Sequence, residues 1–289
     1  MFRLSGFGDE ISANLTEQMD VLESEGIKFI DFRGVNNKGV LDLTDQEAKV
    51  IREQLISRGF GISAIASPIG KISITDDFSR HLERFKRAMY LAQFFGTPYI
   101  RIFSYYIPKG EPPENYRSEV IRRMAEKVKL AEKEKIILLH ENESGIYGNT
   151  HVRCLDILDS INGTAGPRGS AHLAAVFDPA NFVVEGERPY TDCFGRLKKY
   201  VVYLHIKDAR MIPTKTGASV KDTPVIMPAG EGDGQIKEIL AELKTAQFDG
   251  FVSLEPHLSF AGSASGFTGS DLFKKAIRSL KGILAGLEE

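Results

Sequence analysis

Residues 136–143 read Ile136-Ile137-Leu138-Leu139-His140-Glu141-Asn142-Glu143. Four consecutive aliphatic residues, preceded by Glu134 and Lys135, describe a strand buried on both faces. The run then stops in His-Glu-Asn-Glu-Ser-Gly, so a core strand delivers carboxylates at its C-terminal end. One such strand can simply be leaving the core into a polar loop. Recurrence along the chain decides otherwise.

Towards the N-terminus, Val120, Met124, Val128 and Ala131 stripe a helix that feeds this strand. Before it, residues 99–103 form a β-rich run ending in Ser104-Tyr105-Tyr106, and Leu82, Phe85, Met89 and Ala92 mark a helix closed by Gly96. Earlier strands are expected at 62–66, ending in Ser67-Pro68, at 28–33, and at 4–7, ending in Gly8-Asp9-Glu10. Thr44 and Glu47 have capping-box spacing at the start of the helix carrying Ala48, Ile51 and Leu55; Asn14 and Glu17 have it before Leu15, Met19 and Leu22. Gly26 and Gly59 stand where those helices should stop.

The C-terminal half repeats the alternation. A helix at Leu155, Leu158 and Ile161 precedes the strand 174–177, which runs into Asp178-Pro179-Ala180-Asn181. Phe194, Leu197 and Tyr200 mark a helix before 201–204, which runs into His205-Ile206-Lys207-Asp208. Ile236, Ile239, Leu240 and Leu243 form the next helix, residues 251–254 run into Glu255-Pro256-His257, and Leu272, Phe273, Ala276, Leu280 and Leu284 close the chain. Alternating β and α implies a parallel sheet. Eight pairs without a linker fit one closed (β/α)8 barrel, an α/β single domain over 1–289, better than an open sheet. No Gly-x-Gly-x-x-Gly follows the first strand, which argues against a dinucleotide fold.

The composition bounds the function. At 289 residues, 42% hydrophobic and 26% charged, the chain can bury a large core. A formal charge of -2 gives no surface for nucleic acid or anionic membrane, and no run approaches a membrane span. Cys154 and Cys193 are far apart in sequence, in no metal-like pairing, and read as buried thiols of a reducing compartment. The N-terminus lacks the apolar run of a signal peptide, so a cytoplasmic location is expected.

In such a barrel the chemistry sits at the C-terminal strand ends. There the chain offers Glu10, Arg33, Ser67 and Ser104, then Glu141, Asp178, His205 and Glu255. Three carboxylates and an imidazole converging from strands five to eight would repel as an empty cluster, and a divalent cation resolves that repulsion. Oxygen and nitrogen donors without thiolate suit Mn²⁺, Mg²⁺, Co²⁺ or Zn²⁺, with manganese the first expectation.

The chain resembles the xylose isomerase-like barrels of the sugar phosphate isomerases and epimerases, relatives of inosose dehydratase and endonuclease IV. The likeness covers nearly its whole length. It begins at Gly8-Asp9-Glu10-Ile11 and Phe29-Ile30-Asp31-Phe32-Arg33. It is strongest at Leu139-His140-Glu141-Asn142, Phe177-Asp178-Pro179-Ala180-Asn181, Leu204-His205-Ile206-Lys207-Asp208, Gly230-Glu231-Gly232-Asp233-Gly234 and Leu254-Glu255-Pro256-His257. The resemblance implies metal ligands at Glu141, Asp178, His205 and Glu255, with Glu141 and Glu255 also carrying protons to and from a carbon beside a carbonyl. Lys207 would stabilise the developing oxyanion or shuttle a proton, if it faces the site. Where epimerases of this group commonly have His, this chain has Asn181, which can hydrogen-bond a hydroxyl but cannot carry a proton. That leaves dehydration open beside isomerisation. His257 could restore a titratable group; His140 should point away and be structural. Glu10, Arg33, Lys71 and Arg210 complete the candidate substrate contacts.

The substrate expected is a small sugar or polyol. Glu231 and Asp233 after strand seven would repel a phosphate, whereas the serine- and glycine-rich stretch 262–269 could offer amides, and the balance favours an unphosphorylated polyol. A lyase acting on a keto-cyclitol is the alternative chemistry, and a non-catalytic sugar-binding barrel a lesser one. Trinuclear endonuclease chemistry is disfavoured, because only His140, His205 and His257 lie at strand ends. By resemblance a homodimer or homotetramer is expected.

Overall fold

The computed structural model describes residues 2–163, 172–216, 219–258 and 268–288. Eight parallel strands close into a barrel: β1 (Arg3–Phe7), β2 (Phe29–Phe32), β3 (Gly61–Ile65), β4 (Tyr99–Ile102), β5 (Ile137–Glu141), β6 (Leu173–Phe177), β7 (Val201–Ile206) and β8 (Phe251–Leu254). Each pairs with its neighbours in sequence, and β1 closes the ring against β8, with Leu4 opposite Val252 and Gly6 opposite Leu254. The expected (β/α)8 barrel is the fold found. The helices are α1 (Leu15–Ser24), α2 (Asp45–Ser57), α3 (Phe78–Phe95), α4 (Arg117–Lys133), α5 (His151–Asn162), α6 (Pro179–Val184), α7 (Ile236–Thr245) and α8 (Ser270–Gly286). None of them is long and apolar enough to cross a membrane.

Local chemistry explains the boundaries. Thr44 makes the full capping box: its hydroxyl accepts from the Glu47 amide, and Glu47 accepts from the Thr44 amide. Asn14 makes half of one. It accepts from the Thr16 and Glu17 amides, but Glu17 takes the Ser12 hydroxyl, which itself accepts from Asn14 N–H. The helix expected across Phe194, Leu197 and Tyr200 is replaced by a π-helical turn, Pro189–Phe194, and one helical turn, Gly195–Leu197. The three apolar side chains are buried as the stripe requires, yet the backbone beneath them is broken. After β7 the chain also makes an antiparallel hairpin, Asp208–Thr216 with Ser219–Met227, where the sequence reading placed none.

Strand periodicity fills the lumen in layers, since alternate side chains point inward. The lower layer is aromatic: Phe29, Tyr99, Tyr203 and Phe251 pack with ring centroids 5.0–6.5 Å apart, and the Arg3 guanidinium caps Phe251. Above it lie small hydroxyls, with Ser5 and Ser63 hydrogen-bonded at 2.6 Å and Tyr203 OH 2.8 Å from Ser63 Oγ. The next layer is charged and forms the barrel mouth.

A buried lysine lies outside the lumen. Lys127 of α4 has no exposed surface, lies 4.7 Å over the Tyr105 ring, and makes no hydrogen bond among the described residues. Burial, helped by Arg123, depresses its amine to about 7. The unfolded chain therefore holds more protons than the folded one between about pH 7 and the ordinary lysine range, and stability should rise with pH across that window. Each pH unit is worth about 1.4 kcal/mol at most. Lys127→Met should raise the Tm at pH 7 and flatten the climb between pH 7 and 9 in thermal melts. An unchanged slope would remove Lys127 as its source.

Candidate active site

The top layer follows from the same period of two. On β7, Tyr203, His205 and Lys207 step upward on the inner face; on β2, Asp31 and Arg33 do so; on β8, Ser253 and Glu255. Glu141 ends β5, and Asp178 caps α6 immediately after β6, where its Oδ1 accepts from the Asn181 amide. One ligand-type atom from each of Glu141, Asp178, His205 and Glu255 lies within 4.8 Å of the others, and all four residues are buried.

His205 is the centre of this group. Its Nδ1 lies 3.2 Å from Glu141 Oε1 and 3.3 Å from Glu255 Oε2, while Nε2 faces Asp31 Oδ2 at 3.4 Å. Tyr203 OH donates to the same Asp31 oxygen at 2.8 Å, and the Phe7 ring meets the imidazole edge-on at 5.1 Å. The imidazole is thereby fixed in plane with Nδ1 turned to the two glutamates. Burial alone would push it down, but Glu141, Asp31 and Glu255 outweigh that and raise it well above its ordinary value. Burial likewise works to raise Glu141, yet Arg101 and His205 hold it low; Lys207, His205 and His257 do the same for Glu255.

Carboxylates crowd the barrel mouth. Asp9, Glu10, Asp31, Glu141, Asp178 and Glu255 face Arg33, Arg101 and Lys207, to which the raised imidazoles of His205 and His257 add positive charge. Arg101 Nη1 reaches Glu141 (3.2 Å) and Glu255 (3.6 Å), Arg33 pairs with Glu255 (3.0 Å), and Lys207 with Asp178 (2.7 Å). Glu141 Oε2, Asp178 Oδ2 and Glu255 Oε2 are buried and make no hydrogen bond among the described residues. Three buried carboxylates converging with one imidazole nitrogen, each now balanced by an ion pair, make a donor set that fits a divalent cation.

The other expected residues divide. Lys207 does face the site. His257 does too, with Nε2 at 3.2 Å from Glu10 and 3.5 Å from Glu255, pairs that outweigh its burial and lift it to about 9. Asn181 Nδ2 donates to Asn142 O at 2.8 Å and lies 3.5 Å from Glu141 Oε1. Glu10 is buried, but its carboxylate is engaged by the His257 amide and the Thr268 hydroxyl. Lys71 pairs with Glu143 at 2.8 Å on the rim. Arg210 is not brought to the cluster: it is exposed, on the outer hairpin, and holds the Glu231 carbonyl. His140 is buried against Gly148, and burial pushes it to about 3, a neutral structural group. Sequence reasoning missed Asp31 as the partner of His205 and Arg101 altogether. The signal was there, a charged residue inside each apolar strand.

The loop after the hairpin is closed by Asp208. Its carboxylate accepts from the amides of Ala209, Gly230, Gly232 and Gly234 at 2.8–3.0 Å. A Cβ on Gly232 or Gly234 would lie 2.3 or 2.6 Å from Asp208 Oδ1, so the glycines let the backbone wrap this side chain. The amide nest that could take a phosphate is already filled from within. Of the serine- and glycine-rich stretch, residues 262–267 lie outside the described residues.

Comparison with known proteins agrees with this architecture. The family profile described as xylose isomerase-like TIM barrel matches residues 19–283. The probable 3-DHS dehydratase AsbF of Bacillus anthracis superposes with a TM-score of 0.70 at 19% identity, over 97% of this chain and 99% of that one. The IOLI protein, solved with a zinc atom, gives 0.70 at 17% identity over 99% and 98%. A D-tagatose 3-epimerase-like protein gives 0.69 at 18% identity over 99% and 98%. A search among curated proteins returns no significant match.

The Asp208 nest sets an expectation for stability. Replacing its four accepted hydrogen bonds in Asp208→Ala should cost roughly 2–4 kcal/mol in chemical denaturation, since buried amides are left unpaired. A loss under about 0.5 kcal/mol, the scale of an ordinary surface change, would show that the loop holds itself.

Proposed function

The chain belongs to the xylose isomerase-like TIM barrel family, and from that premise we propose that it is a metal-dependent isomerase or epimerase of an unphosphorylated ketose-like sugar or polyol. The observation that carries the reading is the convergence of Glu141 Oε1 and Glu255 Oε2 on His205 Nδ1, at 3.2 and 3.3 Å, with a ligand-type atom of Asp178 within 4.8 Å of the set. Glu141, Asp178, His205 and Glu255 would hold the cation, with manganese the first expectation and magnesium, cobalt or zinc the others. When bound, a divalent ion supplies Lewis-acid polarisation of a carbonyl.

The protein's own groups then divide the work. Glu141 and Glu255 are held ionised by neighbouring cations, so each can accept a proton at neutral pH. One would take the proton from the carbon beside the carbonyl, and the other return it to the opposite face or the next carbon. Lys207, charged and anchored between Asp178 and Glu255, would donate to the oxygen on which negative charge develops. Asp31 would position His205 by accepting its Nε2 proton, leaving Nδ1 for the cation. The self-filled nest of Asp208 supports a substrate without phosphate.

Dehydration is the second reading, and His257 favours it. Loss of a hydroxyl needs an acid, and this imidazole stands 3.5 Å from Glu255, whereas Asn181 cannot deliver a proton. The name of the B. anthracis neighbour points the same way.

Deuterium wash-in separates these readings. With Mn²⁺ in heavy water and a panel of free ketoses and keto-cyclitols, mass spectrometry should show metal-dependent label without water loss. Label coupled to water loss would replace isomerisation by dehydration. Absence of label, with phosphorylated sugars included, would overturn enzymatic proton abstraction. Glu255→Gln should slow exchange by about 10²–10⁴-fold. Asp31→Asn, measured by equilibrium dialysis, should weaken metal binding by about 10–100-fold; unchanged affinity would demote Asp31 to packing.

A further inference from the structure

A second group of ligand-type side chains lies away from the mouth, between the start of α5 and the connection after α6. One atom from each of His151, Glu187 and Cys193 lies within 4.8 Å of the others. His151 Nδ1 stands 2.6 Å from Glu187 Oε1, and the Cys193 thiol donates to Glu187 Oε2 at 3.6 Å. The His151 backbone amide donates to the same Oε2 at 2.9 Å, so the carboxylate is gripped from three directions. Helix α5 supplies His151 at its first position, and the π-helical turn Pro189–Phe194 carries Cys193 to meet it.

The donor set differs in kind from that of the mouth. Imidazole nitrogen, carboxylate oxygen and cysteine sulfur suit a borderline-soft cation, and zinc above all. Zinc bonds of about 2.0–2.3 Å place tetrahedral ligand atoms about 3.3–3.8 Å apart, so the cluster needs to open by about 1 Å on the His151–Glu187 side. Among the described residues, His151 is the ion-pair partner of Glu187; no lysine or arginine neutralises it. Cys193 is fully buried, while His151 and Glu187 keep 14% and 15% side-chain exposure, which leaves one side open to a water ligand.

We propose that His151, Glu187 and Cys193 form a structural zinc site that ties α5 to the segment following α6. The thiol proton leaves to solvent as the sulfur–zinc bond forms, and water fills the fourth position. The pairing of two cysteines that the sequence lacked is thus unnecessary. The consequence reaches the mouth, because α6 is capped by Asp178 and carries Asn181, and Glu185 at its other end is already bonded to Asn149 and Ser144.

Sulfur makes the test selective. Chelator-stripped protein would be titrated with Co²⁺ as a spectroscopic substitute for zinc. The expected result is a near-ultraviolet thiolate-to-cobalt charge-transfer band, which the sulfur-free mouth cannot produce. The band should persist in Glu141→Gln, bleach when Zn²⁺ is added, and vanish in Cys193→Ser. His151→Ala, at a partly exposed position, gives an independent variant and should weaken the Co²⁺ affinity reported by the band. No band at saturating Co²⁺, or a band that survives in Cys193→Ser, overturns the proposal.

Discussion

A closed parallel barrel gives its strands no solvent face, and this constraint governs the molecule. Every second side chain enters the lumen, and the alternates lie beneath helices. The lumen is narrow, so its occupants are chosen by height. Aromatic rings close the lower end, small hydroxyls sit above them, and charge is left for the level where the barrel opens. The ladder Tyr203, His205, Lys207 runs through all of this: one residue joins the aromatic layer, one holds the centre of the mouth, one neutralises its carboxylates.

That order also explains what could be read in the sequence. Glu141, Asp178, His205 and Glu255 each follow an apolar run directly, so their positions announced themselves. Lys207 was ambiguous because every second residue of a strand points outward or into packing; the strand continues to Ile206, and Lys207 lies on the same face as His205, 2.7 Å from Asp178. Asp31 and Arg101 were harder. Each interrupts its strand instead of following it, and such an interruption looks like a flaw until the barrel is closed. A charge in that place can only enter the lumen, since the other face is covered. Arg210 misled for the opposite reason: it follows β7 in sequence, but the hairpin that begins at Asp208 carries it outward. No period marked that hairpin, because both its strands are short of apolar alternation. The split helix around Phe194 shows the same limit, as a correct stripe of buried residues did not require a continuous backbone.

Electrostatically the mouth is a compromise between folding and chemistry. Arg33 and Arg101 enter from one side and, with Lys207 and His205, balance the carboxylates of Glu141, Asp178 and Glu255 through ion pairs of 2.7–3.6 Å. Burying such groups is costly unless something completes them. Each of these pairs would have to loosen for its carboxylate to take a cation, so binding there exchanges partners. The nest around Asp208 shows the opposite solution, where a buried carboxylate finds every partner within its own loop and has nothing left to offer a ligand.

Glu10 fastens the last connection of the barrel to its first. Its carboxylate holds the His257 amide and the Thr268 hydroxyl, and its carbonyl holds the amides of Thr268 and Gly269. The two ends of the connection between β8 and α8 are thus moored to a single residue in the turn that follows the first strand. Barrel closure is secured on either side of 259–267, whatever stands between. A change at Glu10 would release both ends together, so the seam of the barrel and the start of its last helix share one fastening.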